Sequence, residues 1–352
     1  MLIAYDQYNQ LKNASLEKKN SENCYFCPSC KEKVFLKQGT KNMPHFSHYK
    51  NSECQSFSEG ETEEHIRGKY FLYHFLKPHV ESIEMEPYIK TLKQRPDLLI
   101  TKNKQKIAIE FQCSSISVKD VLKRSKGYKK ADIIVLWIIG SPLILNTRLT
   151  QLHRAMMNQY VLTTPNLLYL DIINKQLIIH HHFHYLDRLK WSTSYLTRFV
   201  TMKDLPEPYN IQLVDQQIIT QKAFKELRRM QYFKTKNARC FFNKMYNQGD
   251  NLFTLPSMIF LPCEGEWTVM TPGYAWKYDL YHWINNFEQD TIISKDTVRL
   301  WLKKQIGSGR IKLYIMPNID AQYRMRCFSD FMDLLESEGV LFRVNDDKWC
   351  RC

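Results

Sequence analysis

The chain has 352 residues, 44% of them hydrophobic and 24% charged, a globular composition suited to two or three domains. Its formal net charge of +14 points to a polyanionic partner, nucleic acid above all. No apolar run approaches the ~20 residues of a membrane helix; the first residues lack the basic-then-apolar order of a secretory signal; and ten cysteines without a regular framework fit reduced thiols in a cytoplasm.

After an apolar start at Leu2-Ile3-Ala4-Tyr5, Cys27-Pro28-Ser29-Cys30 forms a knuckle that presents two thiolates to one ion. A second pair of ligands is available from His45, His48 and Cys54. His45 and His48 point to opposite faces of an extended segment. The expected zinc set is therefore Cys27, Cys30, His48 and Cys54, with His45 as the substitute. A segment this poor in large apolar residues needs a staple to fold. Four protein ligands leave no open position, so the expected role is rigidity or substrate docking.

Residues 58–65 open a helix that runs to about Leu76. Glu61, Glu63 and Glu64 suit the first turn of a helix dipole. Glu61, Glu64 and His65 also share one face, at i, i+3 and i+4, where a carboxylate can ligate metal and His65 can meet a phosphate or a water. A first strand follows over 80–88. Two more apolar strands, 95–100 and 106–112, are joined by a polar turn centred on residues 102–105. This register sets Asp97 opposite Glu110. Like charges facing each other across a strand pair destabilise it, and half-buried carboxylates without a counter-ion neutralise. A divalent cation between them removes the difficulty and makes a site for metal-assisted phosphodiester chemistry. Residues 114–130 form an amphipathic basic helix, and residues 133–139 a strand buried on both faces. A further helix is expected over 141–160 and a hairpin over 166–185. His180, His181, His182 and His184 alternate faces on that hairpin and read as structural or surface residues.

Beyond Leu186 the character changes. Leu205-Pro206-Glu207-Pro208 reads as a linker. Residues 216–248 are helical and basic, with interleaved aromatics including Phe241, Phe242 and Tyr246. That pattern suits single-stranded nucleic acid and equally an amphipathic helix packing its rings inward. Helices follow over 274–287, 294–306 and 329–338, then a strand over 340–344.

Several motifs run in one order: Cys27-Pro28-Ser29-Cys30, Pro44-His45-Phe46-Ser47-His48, Gly60-Glu61-Thr62-Glu63-Glu64-His65, Arg95-Pro96-Asp97, Glu110-Phe111-Gln112-Cys113-Ser114, and Arg124 to Tyr128. Together they resemble the PD-(D/E)XK nuclease superfamily and, more narrowly, the CoiA family of competence proteins. The resemblance implies an α/β chain in three parts. These are a zinc-finger-like module over 1–57, a restriction-endonuclease-like mixed-sheet core over 58–185, and a mostly α-helical basic domain over 186–352. It implies Asp97 and Glu110 as ligands of Mg²⁺ or Mn²⁺, Glu61 or Glu64 as the helix carboxylate, and a cytoplasmic role in processing DNA during natural transformation. The superfamily's usual lysine is Gln112 here, which can orient water but supplies neither charge nor base. His65 completes the candidate catalytic set. Lys123, Arg124, Lys126, Tyr128, Arg228 and Arg229 are the candidate DNA contacts. The expected activity is a divalent-metal-dependent DNA nuclease. The alternative is a non-catalytic accessory that binds single-stranded or branched DNA, or a recombinase.

Overall fold

The computed structural model describes residues 1–18, 23–39, 43–50, 52, 54, 62–146, 149–162, 164–185, 192–199 and 236–352. Five short strands come first: β1 (Ile3–Asp6), β2 (Leu11–Asn13), β3 (Tyr25–Phe26), β4 (Lys33–Lys37) and β5 (His45–His48). They pair antiparallel in the order β2-β1-β3-β4-β5. Tyr25, Cys27, Val34 and Phe46 make a small core, too little apolar burial to hold such a module by itself. β1 ties it to the next domain, because Met1 and Ala4 pack in this core while Leu2 and Ile3 pack in the neighbouring one.

That next domain is a mixed α/β layer. Its helices and strands are α1 (Glu63–Leu76), β6 (Ser82–Met85), β7 (Leu98–Lys102), β8 (Gln105–Gln112), α2 (Val118–Lys130), β9 (Ile134–Ile139), α3 (Gln151–Met156), β10 (Asn166–Asp171), β11 (Gln176–Tyr185) and β12 (Ser192–Phe199). The sheet order is β12-β11-β10-β9-β8-β7-β6, with β8–β9 and β9–β10 parallel and the other pairs antiparallel. β7 and β8 meet in a two-residue turn, Asn103 and Lys104, both at positive φ as a tight hairpin requires. Alternation then sorts the sheet. Ile107, Ile109 and Phe111 face α1, while Ala108 faces α2 with Val135 and Trp137. Gly68 brings α1 unusually close, since a Cβ there would lie 2.0 Å from the Phe111 ring.

The expected helix over 141–160 is corrected. A 3₁₀ turn, Ser141–Leu143, holds Pro142, and the α-helix starts only where Thr150 and His153 form a capping box. His180 and His181 are buried in the sheet, and burial beside His153 holds His180 down to about 4, which fits structural residues. The start of the expected helix at residues 58–61, the linker at 205–208 and the basic run through Arg228 and Arg229 lie outside the described residues.

The described C-terminal residues carry α4 (Lys236–Asn247), α5 (Gly273–Asn285), β13 (Ile292–Ser294), α6 (Lys295–Gly307), α7 (Ala321–Ser337), β14 (Leu341–Asn345) and β15 (Lys348–Arg351). Helices are joined here by a three-stranded antiparallel sheet, β13-β15-β14, more strand than the sequence suggests. Phe241 and Phe242 of α4 are buried against Tyr274 and each other, so these rings serve packing. Trp267, Met316 and Ile319 reach into the core on the α2 face of the large sheet. Arg154, almost wholly buried, donates from Nε to the Trp267 carbonyl at 2.9 Å and lies 3.8 Å over the Tyr314 ring. Among the described residues no helix is long and apolar enough to cross a membrane.

Glu86 fastens the first two domains together. Its Oε2 accepts the Leu2 and Ile3 amides at 3.0 and 3.3 Å, and its Oε1 accepts from Lys69 of α1, a lysine with no exposed surface. Breaking a buried pair leaves an uncompensated charge, so Glu86→Ala should cost about 3–5 kcal/mol. Glu86→Leu with Lys69→Met should recover part of that loss. Urea unfolding midpoints of the single and double variants check it.

Candidate functional site

Cys27 follows β3, Cys30 lies in the turn before β4, and His48 ends β5. In the knuckle, the Lys31 amide donates to the Cys27 carbonyl at 3.0 Å and the Ser29 amide to Cys27 Sγ at 3.4 Å. Cys30 Sγ is 3.3 Å from His48 Nε2. The ligand atoms of Cys27, Cys30, His48 and Cys54 all lie within 4.8 Å of one another, a group that could hold a metal ion such as zinc. Burial pushes His48 down, which favours the neutral imidazole that a metal needs. His45, the substitute ligand, stands apart from this group, its Nδ1 2.9 Å from the Met43 carbonyl oxygen.

Asp97 sits just before β7. Leu98 pairs with Ile109, so the ladder sets Asp97 beside Glu110. The two carboxylates nevertheless turn to different partners. Asp97 Oδ2 accepts the Phe111 amide at 2.8 Å and is 3.2 Å from His65 Nε2, while Oδ1 is 3.9 Å from Lys69 Nζ. Burial alone would raise its pKa; His65, Lys69 and the Phe111 amide outweigh that and hold it down to about 2. Glu110 points to the other face of the sheet. Arg124 Nη2 donates to both its oxygens at 2.5 Å, and the Tyr128 hydroxyl to Oε1 at 2.5 Å. Burial pushes Glu110 up to about 7, aided by Asp97 and opposed by Arg124 and Tyr128.

The counter-charges anticipated from a cation are therefore present within the chain: Arg124 for Glu110, and His65 with Lys69 for Asp97. Both Arg124 and Tyr128 also stand among the expected DNA contacts. Tyr128 has no exposed surface and Arg124 faces inward, because the α2 face that carries them is the one laid against the sheet. Lys123 and Lys126 lie on the opposite, exposed side of α2. Glu64 is bound to the end of β9: its Oε1 accepts the Ser141 amide and its Oε2 the Ser141 hydroxyl, each at 2.7 Å. Gly140 makes room for this, since a Cβ there would lie 2.9 Å from Glu64 Oε1. Gln112 Nε2 donates to the Ser114 carbonyl and hydroxyl, both at 3.0 Å. Glu61 lies outside the described residues. Sequence reasoning passed over Glu86 and Ser141, whose roles carry no local signal because both depend on partners far along the chain.

The two carboxyls give opposite pH dependences. Glu110 keeps its proton in the folded state between its ordinary 4.5 and about 7, where the unfolded chain has lost it, so its contribution to stability falls as pH rises through that window. Asp97 contributes above its ordinary 3.8 and loses that contribution as pH falls towards about 2. Without added divalent ion, Glu110→Gln should flatten the first slope and Asp97→Asn the second. Urea midpoints across pH measure both.

Three sequence profiles of one family match the chain. The competence protein CoiA N-terminal domain matches residues 8–57, the CoiA nuclease-like domain residues 61–208, and the CoiA C-terminal domain residues 214–352. The chain is also similar to the competence protein CoiA of Bacillus subtilis (strain 168), 37% identical over 130 residues. That match spans 37% of this chain and 35% of the relative, about a third of the relative's length. With the three domains present in order along its length, the chain belongs to the competence protein CoiA family.

Proposed function

We propose that this protein processes DNA during natural transformation as a divalent-metal-dependent nuclease. The observation that carries the reading is the register of β7 and β8, which sets Asp97 and Glu110 at adjacent positions in the sheet of the nuclease-like domain. Were Glu110 to turn from Arg124 toward Asp97, the two carboxylates and the Gln112 carboxamide oxygen would make a hard, oxygen-only donor set, the kind that fits Mg²⁺ or Mn²⁺. Such an ion, when bound, lowers the pKa of water and neutralises phosphate charge. The chain's own residues do the rest. His65, Lys69 and the Phe111 amide keep Asp97 ionised. Arg124 shares the oxygens of Glu110, so it must yield them for Glu110 to serve as a ligand, and once released it is a cation for a phosphate. Gln112 can orient a water without acting as its base. Lys123 and Lys126 offer phosphate contacts from the exposed side of α2, with Arg228 and Arg229 as further contacts by sequence alone.

A second reading rests on the same Arg124 and Tyr128 contacts. A Glu110 already satisfied by protein donors suits a DNA-binding recombination accessory that has kept the nuclease fold without its chemistry. A digestion series separates the two, using single-stranded, duplex, flapped and four-way DNA with Mg²⁺ or Mn²⁺. Metal-dependent cleavage that Asp97→Ala lowers at least ~100-fold supports the nuclease. Tight, salt-sensitive binding by wild type and Asp97→Ala alike, with no cleavage by either, supports the accessory.

The ion in the N-terminal module is zinc in this reading, held by Cys27, Cys30, His48 and Cys54, since three thiolates and an imidazole are its preferred tetrahedral set. Protein purified without chelator should carry about one zinc per chain by elemental analysis. Cys30→Ser should lose it and lower the melting temperature, and zinc retained at wild-type level would refute the assignment.

A further inference from the structure

The C-terminal segment from α5 onward runs helix, strand, helix, helix, strand, strand, and its sheet order is β13-β15-β14. This is the order of a winged-helix domain. In helix-turn-helix proteins the last helix of the pair is the one laid into the DNA groove. Here that helix, α7, is engaged elsewhere. The Asp320 amide at its start donates to Gln159 Oε1 at 2.6 Å, and the Arg324 carbonyl accepts from Thr268 Oγ1 at 3.2 Å. Further along it carries Asp330, Asp333 and Glu336, which a phosphate backbone would repel.

The preceding element has the opposite charge. From residue 297 to residue 319 the chain holds Arg299, Lys303, Lys304, Arg310 and Lys312 and no acidic residue. All five are exposed. Arg299 is paired with Asp296 at 3.1 Å, whereas Lys303, Lys304, Arg310 and Lys312 have no carboxylate within ion-pair distance among the described residues. Between them Gly307 and Gly309 have nothing within 4 Å of where a Cβ would stand, so the turn leaves its backbone open to an approaching chain. A helix dipole accounts for Lys304 in the last turn of α6. It does not account for Arg310 and Lys312, which lie past the helix end.

We propose that the end of α6 and residues 307–312 form a surface that binds the phosphodiester backbone of DNA. The proposal rests on the reading that the protein acts on DNA, and it assigns that contact to a surface away from the carboxylate site. The cations are mostly lysines, point charges without a bidentate fork, so the contact positions DNA without reading its sequence.

The test is fluorescence anisotropy on the full chain with a labelled single strand and a labelled duplex, over a range of salt. The quadruple variant Lys303→Gln, Lys304→Gln, Arg310→Gln, Lys312→Gln should bind at least ~10-fold more weakly at ~0.1 M salt, with the slope of log affinity against log salt shallower by about 2–4. Its melting temperature and metal content should match wild type. Arg326→Gln, which removes a cation already paired with Glu264 at 2.8 Å, controls for net charge and should leave binding unchanged. A quadruple variant that keeps wild-type affinity and slope overturns the proposal. So does an equal loss per charge in Arg326→Gln. A wild type that binds neither DNA overturns instead the reading that the protein acts on DNA.

Discussion

Glu86 has almost no exposed surface, yet two parts of the molecule converge on its carboxylate. One oxygen caps the amides of Leu2 and Ile3, which lead into the first strand of the N-terminal module. The other holds Lys69 on α1, and Lys69 in turn stands 3.9 Å from Asp97. Its own amide donates to the Asp97 carbonyl at 2.9 Å. A charge this deep is tolerated only when fully partnered. The requirement that Glu86 be satisfied therefore fixes where the N-terminal module sits and where Lys69 points. The cysteine cluster and the carboxylate site are thus joined by backbone and side-chain contacts: β5 carries His48 and Phe46, Phe46 donates its amide to the Met1 carbonyl at 2.8 Å, and the next two amides end on Glu86.

The carboxylate site depends on the same economy of charge. Asp97 and Glu110 are neighbours in the ladder, and neither could stay ionised in the sheet alone. Each is served by a helix on a different face, Asp97 by α1 and Glu110 by α2. The closeness of α1 rests on Gly68, which lets the helix settle against Phe111 and puts His65 and Lys69 within reach of Asp97. The result is an asymmetric pair, one carboxyl held low and the other pushed high. Separated pKa values of this kind are a recurrent mark of chemical sites, and they also arise in purely structural ion-pair networks.

The C-terminal domain adds mass and charge without entering this network. It docks through Trp267, Met316 and Ile319 onto the α2 side of the large sheet, with Arg154 filling the seam. Its acidic helix α7 starts at that seam, while the basic residues at the end of α6 are exposed. Charge is accordingly uneven within this domain.

The sequence by itself determined the pieces that depend on local spacing. A C-x-x-C knuckle followed by His48 and Cys54 specified the group that could hold a metal, because period-2 alternation separates His48 from His45. Two apolar runs around a short polar turn specified the β7–β8 register, and with it the adjacency of Asp97 and Glu110. Tertiary structure alone decided what surrounds those residues. Arg124 and Tyr128 read as DNA contacts in the sequence because they stand among the cations of a basic amphipathic helix; only its packing on the sheet shows that Tyr128 is buried and that Arg124 turns to Glu110. Lys69, Glu86 and Ser141 carry no local signal at all. Their partners lie up to 84 residues away, and a buried charge can be matched to its counter-charge only once the helices and strands that bear them have been brought together.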